Sequence, residues 1–459
     1  MLAVFIEINI PDSLCNGQAM QKDKIWGYQY SIFLMVIFAA LLFMFQSIYL
    51  LGNKNIIGKD DPTYYFSYVR SLVVDHDLDL KNEYEHFGIY AYSTTPLGRP
   101  VNVYSFGLPL LVSPFYLVTH AILSTLSSAG FSVSTDGYGL PYQLVFSLAG
   151  IFYGMLGLSI CYSMLSIYFN KKTTTLSVVT IMLCSNLFYY FEREPFMSEL
   201  CSFFIVSLFF YLWHEIFIRV KSTCYYWFGL CAGMMVIVRQ QNIGYFLVTA
   251  ISTLVFIRSS LGTLLPRRAY MVVAGIIIAV VPQMVVWQFV FGSPLVYSYG
   301  EQTFIYKFEP KLLQVLFSSK HGLISWHPIV IFCLVGLLMA VRKYKVLSIT
   351  FISCFLLQLY INSSWVSWWF GYSFGHRGFI GCSLFFCFGL AFLFSQDFMA
   401  NKQVISYMLV GLLACWNMLL MLAYLSGMVP MEGYFSWLDL FNNLYDLPSH
   451  VLGKIQQLR

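Results

Sequence analysis

Asp60 and Asp61 stand side by side where the first long apolar run gives way to polar sequence, in GKDDPTYYFSYVRSLVVDHDLDLKNEY, residues 58–84. A carboxylate at membrane depth is costly, so two together are functional candidates by default. Pro62 suits the first turn of a helix with an Asp as N-cap, but a cap needs one carboxylate, not two. The pair Asp60 and Asp61 is therefore assigned a catalytic or ligand role, with a capping pair as the alternative. Tyr64, Tyr65, Tyr68, Val69 and Leu72 then form the apolar stripe of an interfacial helix. Further on, Asp75, Asp77 and Asp79 match positions 1, 3 and 5 of a calcium loop. The match fails at Leu80 and His86, where Gly and Glu are required, so an EF-hand is excluded. A looser metal site, a pocket for sugar hydroxyls and a solvated loop stay open. A third acidic group, Glu192, Glu194 and Glu199, surrounds Arg193 and Pro195 at another helix end. It can supply a second carboxylate to the site or form a salt-bridged turn.

Cations gather elsewhere in the chain. Arg239 ends an apolar run, and Lys320, His321 and His327 lie in SSKHGLISWHPIV. His376 and Arg377 follow an aromatic shelf of Trp365, Trp368, Trp369 and Tyr372 in NSSWVSWWFGYSFGHRGFIG. The fork of Arg suits a carboxylate or a phosphate. Aromatic rings beside it suit a phosphate attached to a sugar or a prenyl chain. An interfacial belt with a snorkelling Arg accounts for the Trp residues equally well.

These side chains must be positioned by membrane helices. Of 459 residues, 59% are hydrophobic and 10% charged, and the mean hydropathy is +0.70. That is too little charge to keep a soluble domain of this size in solution, so the chain is expected to be an all-α polytopic membrane protein. A net charge of +5 argues against nucleic-acid binding. Runs long enough to span fall near 30–51, 143–168, 174–191, 196–218, 224–238, 243–258, 270–291, 324–341, 346–361, 378–396 and 404–426. A twelfth, 106–125, carries Pro109, Pro114 and His120. If it does not span, the basic groups 170–172, 219–221, 266–268 and 341–345 and Lys402 all face the cytoplasm, as positive-inside bias prefers. About eleven spans are therefore expected, twelve being the alternative, with 106–125 in the outer leaflet. Lys22 and Lys24 hold residues 1–29 inside, and the start lacks the features of a signal peptide. The membrane domain covers 30–426, with outer segments 52–142, 292–323 and 362–377 and an outer tail, 427–459. The 11 cysteines show no zinc spacing, and those within apolar runs are taken as interface fillers.

In this order, the stretch at 58–84, GLCAGMMVIVRQ, FGSPLVYSYG, KHGLISWHP and WWFGYSFGHRGF resemble bacterial integral-membrane glycosyltransferases of the GT-C class. The branch is that related to protein O-mannosyltransferases and lipid A aminoarabinose transferases. The resemblance covers most of residues 30–396. It implies a GT-C-like helical bundle that transfers a sugar from a polyprenyl-phosphate donor on the periplasmic face of the bacterial inner membrane. It implies an acidic base at Asp60, with Asp61 where a Glu is often found. It also implies basic residues that hold the donor phosphate, Arg377 by best match, then Arg239, Lys320, His321 and His376. KHG departs from the pattern, in which an Arg precedes that Gly. Asp75, Asp77, Asp79, Glu192, Glu194, Glu199, Trp368, Trp369 and Tyr372 are assigned to the sugar and acceptor pocket. Some members of the class hold a divalent cation with acidic loops, which makes Asp60, Glu192, Glu194 and Glu199 the candidates for one here, although no spacing fixes it. Partners are the lipid-linked donor, a glycan, lipid or protein acceptor, and membrane lipids. The competing readings are a transporter or flippase of a lipid-linked glycan and an O-antigen polymerase or ligase. A transporter places ionisable groups near the bilayer midplane, whereas these runs carry almost none there.

Overall fold

Lipid offers the backbone no hydrogen-bond partners, so apolar runs of this length fold as helices. The computed structural model describes residues 23–45, 47, 56–58, 60–219, 224–256, 258–396, 399 and 403–458. Expectations for residues 1–22, with Cys15 and Lys22, and for Lys402 lie outside the described residues.

Helix α1 (Asp23–Phe45) precedes a long loop that carries α2 (Asp61–Arg70), a π-helical turn (Ser71–Asp75), α3 (Lys81–His86) and α4 (Gly107–Ser128). The bundle continues with α5 (Leu140–Leu165), α6 (Lys171–Cys184), α7 (Leu187–Glu192), α8 (Ser198–Trp213), α9 (Tyr225–Val238), α10 (Ile243–Phe256) and α11 (Arg258–Phe291). Next come α12 (Leu312–Phe317), α13 (Leu323–Trp326), α14 (Ile329–Ala340) and α15 (Lys345–Ser364). A 3-10 segment (Arg377–Cys382), α16 (Ser383–Phe394), α17 (Gln403–Leu425), α18 (Trp437–Asn442) and α19 (Leu447–Leu458) follow. Among the described residues, 7 helical segments are long and apolar enough to cross a membrane, and no β-strand occurs. The chain is an all-helical, multi-pass membrane protein.

Within the described residues each of the eleven apolar runs falls largely on helix, and two are broken for identifiable reasons. The run 174–191 is interrupted between α6 and α7, where the Ser185 hydroxyl accepts from the Leu187 amide. The run 324–341 is interrupted at His327, which leaves helical geometry (φ −126, ψ 78) because Pro328 follows it. The helices meet through small residues, as expected where dispersion rather than water exclusion drives association. A Cβ added to Gly336 on α14 would lie 1.9 Å from the Gly389 carbonyl oxygen on α16. Gly229 and Gly275 bring α9 and α11 together in the same way. Phe210, Phe351 and Phe385 fill the centre, with the last two stacked at 4.6 Å.

The two ends of the bundle differ in charge. At one end the Tyr168 hydroxyl meets His214 Nε2 at 2.5 Å and its ring packs on Tyr344. Arg219 pairs with Glu215, and Arg268 lies over Tyr225. The basic loops therefore share this end. The acidic pair, Arg239 and Arg377 lie at the other.

Residues 106–125 form one continuous helix, α4, which by length and composition alone would qualify as a span. Its neighbours show a partial course. It starts against the C-terminal end of α9, where Gly107 touches the Ile237 backbone. It then runs antiparallel to the N-terminal half of α5. The Tyr153 hydroxyl donates to the Leu111 carbonyl, and His120 Nδ1 lies 2.8 Å from the Tyr142 hydroxyl. It therefore flanks the site-bearing end of the bundle and does not follow α5 to the other end.

Candidate active site

Asp60 and Asp61 open α2, with Pro62 in its first turn. The Asp60 side chain caps nothing, although its carbonyl accepts the Thr63 amide. The capping role is thus left to the backbone, and the Asp60 carboxylate is exposed to a cavity of about 800 Å³. Asp61 is engaged on both oxygens. Tyr104 donates its hydroxyl hydrogen to Oδ1, and Arg377 Nη2 donates to Oδ2 at 2.9 Å.

The partners of Asp61 arrive from far away in sequence, and each is held in place. Asn102 donates to the Tyr64 carbonyl at 2.8 Å, which ties the Tyr104 segment to α2. The Tyr104 ring packs between Tyr64 and Tyr65, with Tyr299 against its other side. Arg377 begins the 3-10 segment after a loop with left-handed backbone at Phe370, Gly371 and Gly375. At Gly375 only glycine fits, because its φ is +63 and a Cβ would lie 2.1 Å from His327 Nε2. Arg377 Nε is 3.9 Å from Glu199 Oε1, and Arg239 Nη1 is 2.9 Å from the same oxygen. A chain of alternating charge, Asp61–Arg377–Glu199–Arg239, thus lies beside the free carboxylate of Asp60.

The electrostatics separate the two aspartates. Burial raises the Asp60 pKa, the neighbouring Asp61 charge raises it further, and Arg377 only partly offsets this. Burial also acts upward on Asp61, but Arg377, the Tyr104 hydrogen bond and Arg239 outweigh it and hold its pKa below the ordinary value. Asp61 is a fixed counter-ion, whereas Asp60 is the more basic carboxylate and the free one. Glu194 also lines the cavity, accepts a hydrogen bond from the Tyr189 hydroxyl at 2.9 Å, and is pushed by burial up to about 7.

Several expected site residues stand elsewhere. Asp75, Asp77 and Asp79 do not line the cavity, because α2 carries them to its far end. There Asp75 and Glu83 pair with Arg70, whose guanidinium lies 4.4 Å from the Tyr138 ring. Asp77 takes the Ser71 hydroxyl and the Asp79 amide. This network locks the long loop instead of shaping a sugar pocket. His321 and His376 are buried and neutral, with burial pushing each down to about 3, so neither supplies a cation for a phosphate. His376 Nε2 is taken up by the Trp368 carbonyl at 2.8 Å. Lys320 lies 3.5 Å above the Trp369 ring, whose indole donates to Glu432, and neither residue lines the cavity. Trp368 is buried, and Glu192 is buried outside the lining. Tyr372 and Arg377 do line it, with Glu199 and Arg239 directly behind Arg377.

Among the described residues, no three His, Cys, Asp or Glu side chains converge to hold a metal ion. Both oxygens of Asp61 are taken up, by Tyr104 and Arg377. Tyr104 was not found from the sequence, since nothing in RPVNVYSFG distinguishes its hydroxyl.

No protein-family model matches the sequence, and no curated protein matches it significantly. Among solved structures, the apo oligosaccharyltransferase of Archaeoglobus fulgidus is similar to 94% of this chain, with a TM-score of 0.52 and 12% identity. The match covers 56% of that enzyme, so this chain spans about half its length. The likeness is one of fold: this chain shares its helical arrangement with part of that oligosaccharyltransferase.

Proposed function

We propose that this protein is a glycosyltransferase that moves a sugar from a polyprenyl-phosphate donor to a hydroxyl of a cell-envelope acceptor, on the periplasmic face of a bacterial inner membrane. The observation that carries this reading is the free Asp60 carboxylate beside the Asp61–Arg377 pair in one amphiphilic cavity. The acceptor hydroxyl is a poor nucleophile, and Asp60 removes its proton as the oxygen attacks the anomeric carbon. The bond from that carbon to the phosphate oxygen breaks, and the polyprenyl phosphate leaves. Arg377 draws the developing negative charge, and Asp61, Glu199 and Tyr104 hold Arg377 and its partner in position. Direct attack inverts the anomeric configuration. Phe43, Ile56, Leu422 and Leu425 in the lining of the same cavity suit a prenyl chain. The gathering of ionisable groups at one end, rather than in the middle of the bundle, favours this reading over a transporter. The test is incubation of the purified protein with a panel of polyprenyl-phosphate sugars and envelope acceptors. Release of polyprenyl phosphate coupled to glycan transfer supports the reading. Movement of lipid-linked glycan across vesicles without transfer contradicts it.

A further inference from the structure

The described C-terminal residues build part of the same cavity. Helix α19 (Leu447–Leu458) packs on α17 and turns Val451, Lys454 and Ile455 inward, spaced i, i+3 and i+4 on one face. Leu452 and Gln456 face out. An inward lysine is the exception on a face that is otherwise apolar. Val451, Lys454 and Ile455 line the same cavity as the apolar Phe43, Leu422 and Leu425 and the charged Asp60, Asp61 and Arg377. Among the described residues, no carboxylate lies within ion-pair distance of Lys454, although Asp60, Asp61 and Glu194 line the same space. Arg377, by contrast, is already held by Asp61 and Glu199. The lining thus holds three cations: Arg377, committed to carboxylates, Arg193, whose charge acts on Glu194, and Lys454, on a flexible four-carbon stem and without an ion pair among the described residues.

We propose that Lys454 is a second phosphate-binding residue and that α19 is a wall of the lipid-phosphate site, with Val451 and Ile455 against the prenyl chain. This rests on the donor reading above and adds a ligand to it. A phosphate entering the cavity carries more negative charge than Arg377 can neutralise while it remains paired with Asp61. Lys454 supplies the balance without disturbing that pair, and it holds the phosphate as a point charge.

The experiment uses the full-length protein in nanodiscs, with undecaprenyl phosphate as the probe and binding as the readout. Lys454→Gln is expected to weaken binding about tenfold, which is about 1.4 kcal/mol. It should also flatten the dependence of binding on ionic strength, and Lys454→Arg should restore most of the affinity. A purely structural role would not give charge-specific rescue. Equal affinity and equal salt dependence in wild type and Lys454→Gln overturn the assignment while leaving the donor reading intact. Absence of binding by the wild type overturns both. Nanodiscs of phosphatidylcholine alone are compared with others containing phosphatidylglycerol. A difference between wild type and variant that appears only with phosphatidylglycerol assigns the lysine to bulk lipid headgroups and overturns the proposal.

Discussion

Glu199→Gln should destabilise this protein more than Asp61→Asn, although Asp61 makes the shorter contact to Arg377. Glu199 is 1% exposed and serves two arginines, Arg239 at 2.9 Å and Arg377 at 3.9 Å. At an effective dielectric near 20, each contact is worth about 4–6 kcal/mol before desolvation is counted. Glutamine removes both and leaves two guanidinium groups without their common counter-ion. Truncating one partner of a buried pair costs about 3–5 kcal/mol, and Glu199→Gln is expected in that range. Asp61 is 25% exposed, and its removal still leaves Arg377 with Glu199. Asparagine keeps an acceptor for Tyr104 or Arg377, and water screens part of the loss, so Asp61→Asn is expected to cost about 1–2 kcal/mol. The assay is equilibrium unfolding of the purified variants in bicelles by titration with denaturing detergent, read by tryptophan fluorescence. An Asp61→Asn loss equal to or larger than that of Glu199→Gln would refute the shared-anchor argument.

Three further predictions concern the site and its frame. Activity should fall on the acid side as Asp60 takes up a proton, with a midpoint above 3.8 because burial and Asp61 raise its pKa. In Asp61→Asn the repulsion is gone and Arg377 is freer to attract, so the acid limb should move to lower pH; a shift upward in the pH–rate profile contradicts this. Gly336→Ala should reduce folded yield on size-exclusion chromatography, because overpacking costs about 1–3 kcal/mol. Gly411→Ala, where nothing lies within 4 Å, should leave the yield unchanged or raise it slightly, and equal loss in both would contradict the account of helix contacts. Arg70→Met should leave the fully buried Glu83 carboxylate without its partner and open the loop between α2 and α5 to limited proteolysis; wild-type resistance would show that the network is dispensable.

The helices were largely legible in the sequence because lipid leaves an apolar run few alternatives. The breaks were less so. Pro328 marks one at His327, but the break at Ser185 depends on a side chain that competes for the backbone. Asp60, Asp61 and Arg377 could be singled out because charge beside an apolar run is costly. Their division of labour could not, since it depends on Tyr104 and Glu199 arriving from distant segments. His321 and His376 looked cationic in sequence, and only their burial shows them neutral. Asp75, Asp77 and Asp79 were misassigned to the pocket because sequence proximity to Asp61 hides the length of α2. Lys454 gave no signal at all, because its importance comes from the cavity that the C-terminal helix happens to face.

The central claim is that Asp60 is the base and Asp61 the structural counter-ion. It is tested most directly by single-turnover transfer from a polyprenyl-phosphate sugar, comparing Asp60→Asn with wild type at saturating donor. Loss of a general base lowers the rate about 10²–10⁴-fold, and donor binding should persist because Arg377 keeps its partners. A rate in Asp60→Asn equal to that of wild type would contradict the account.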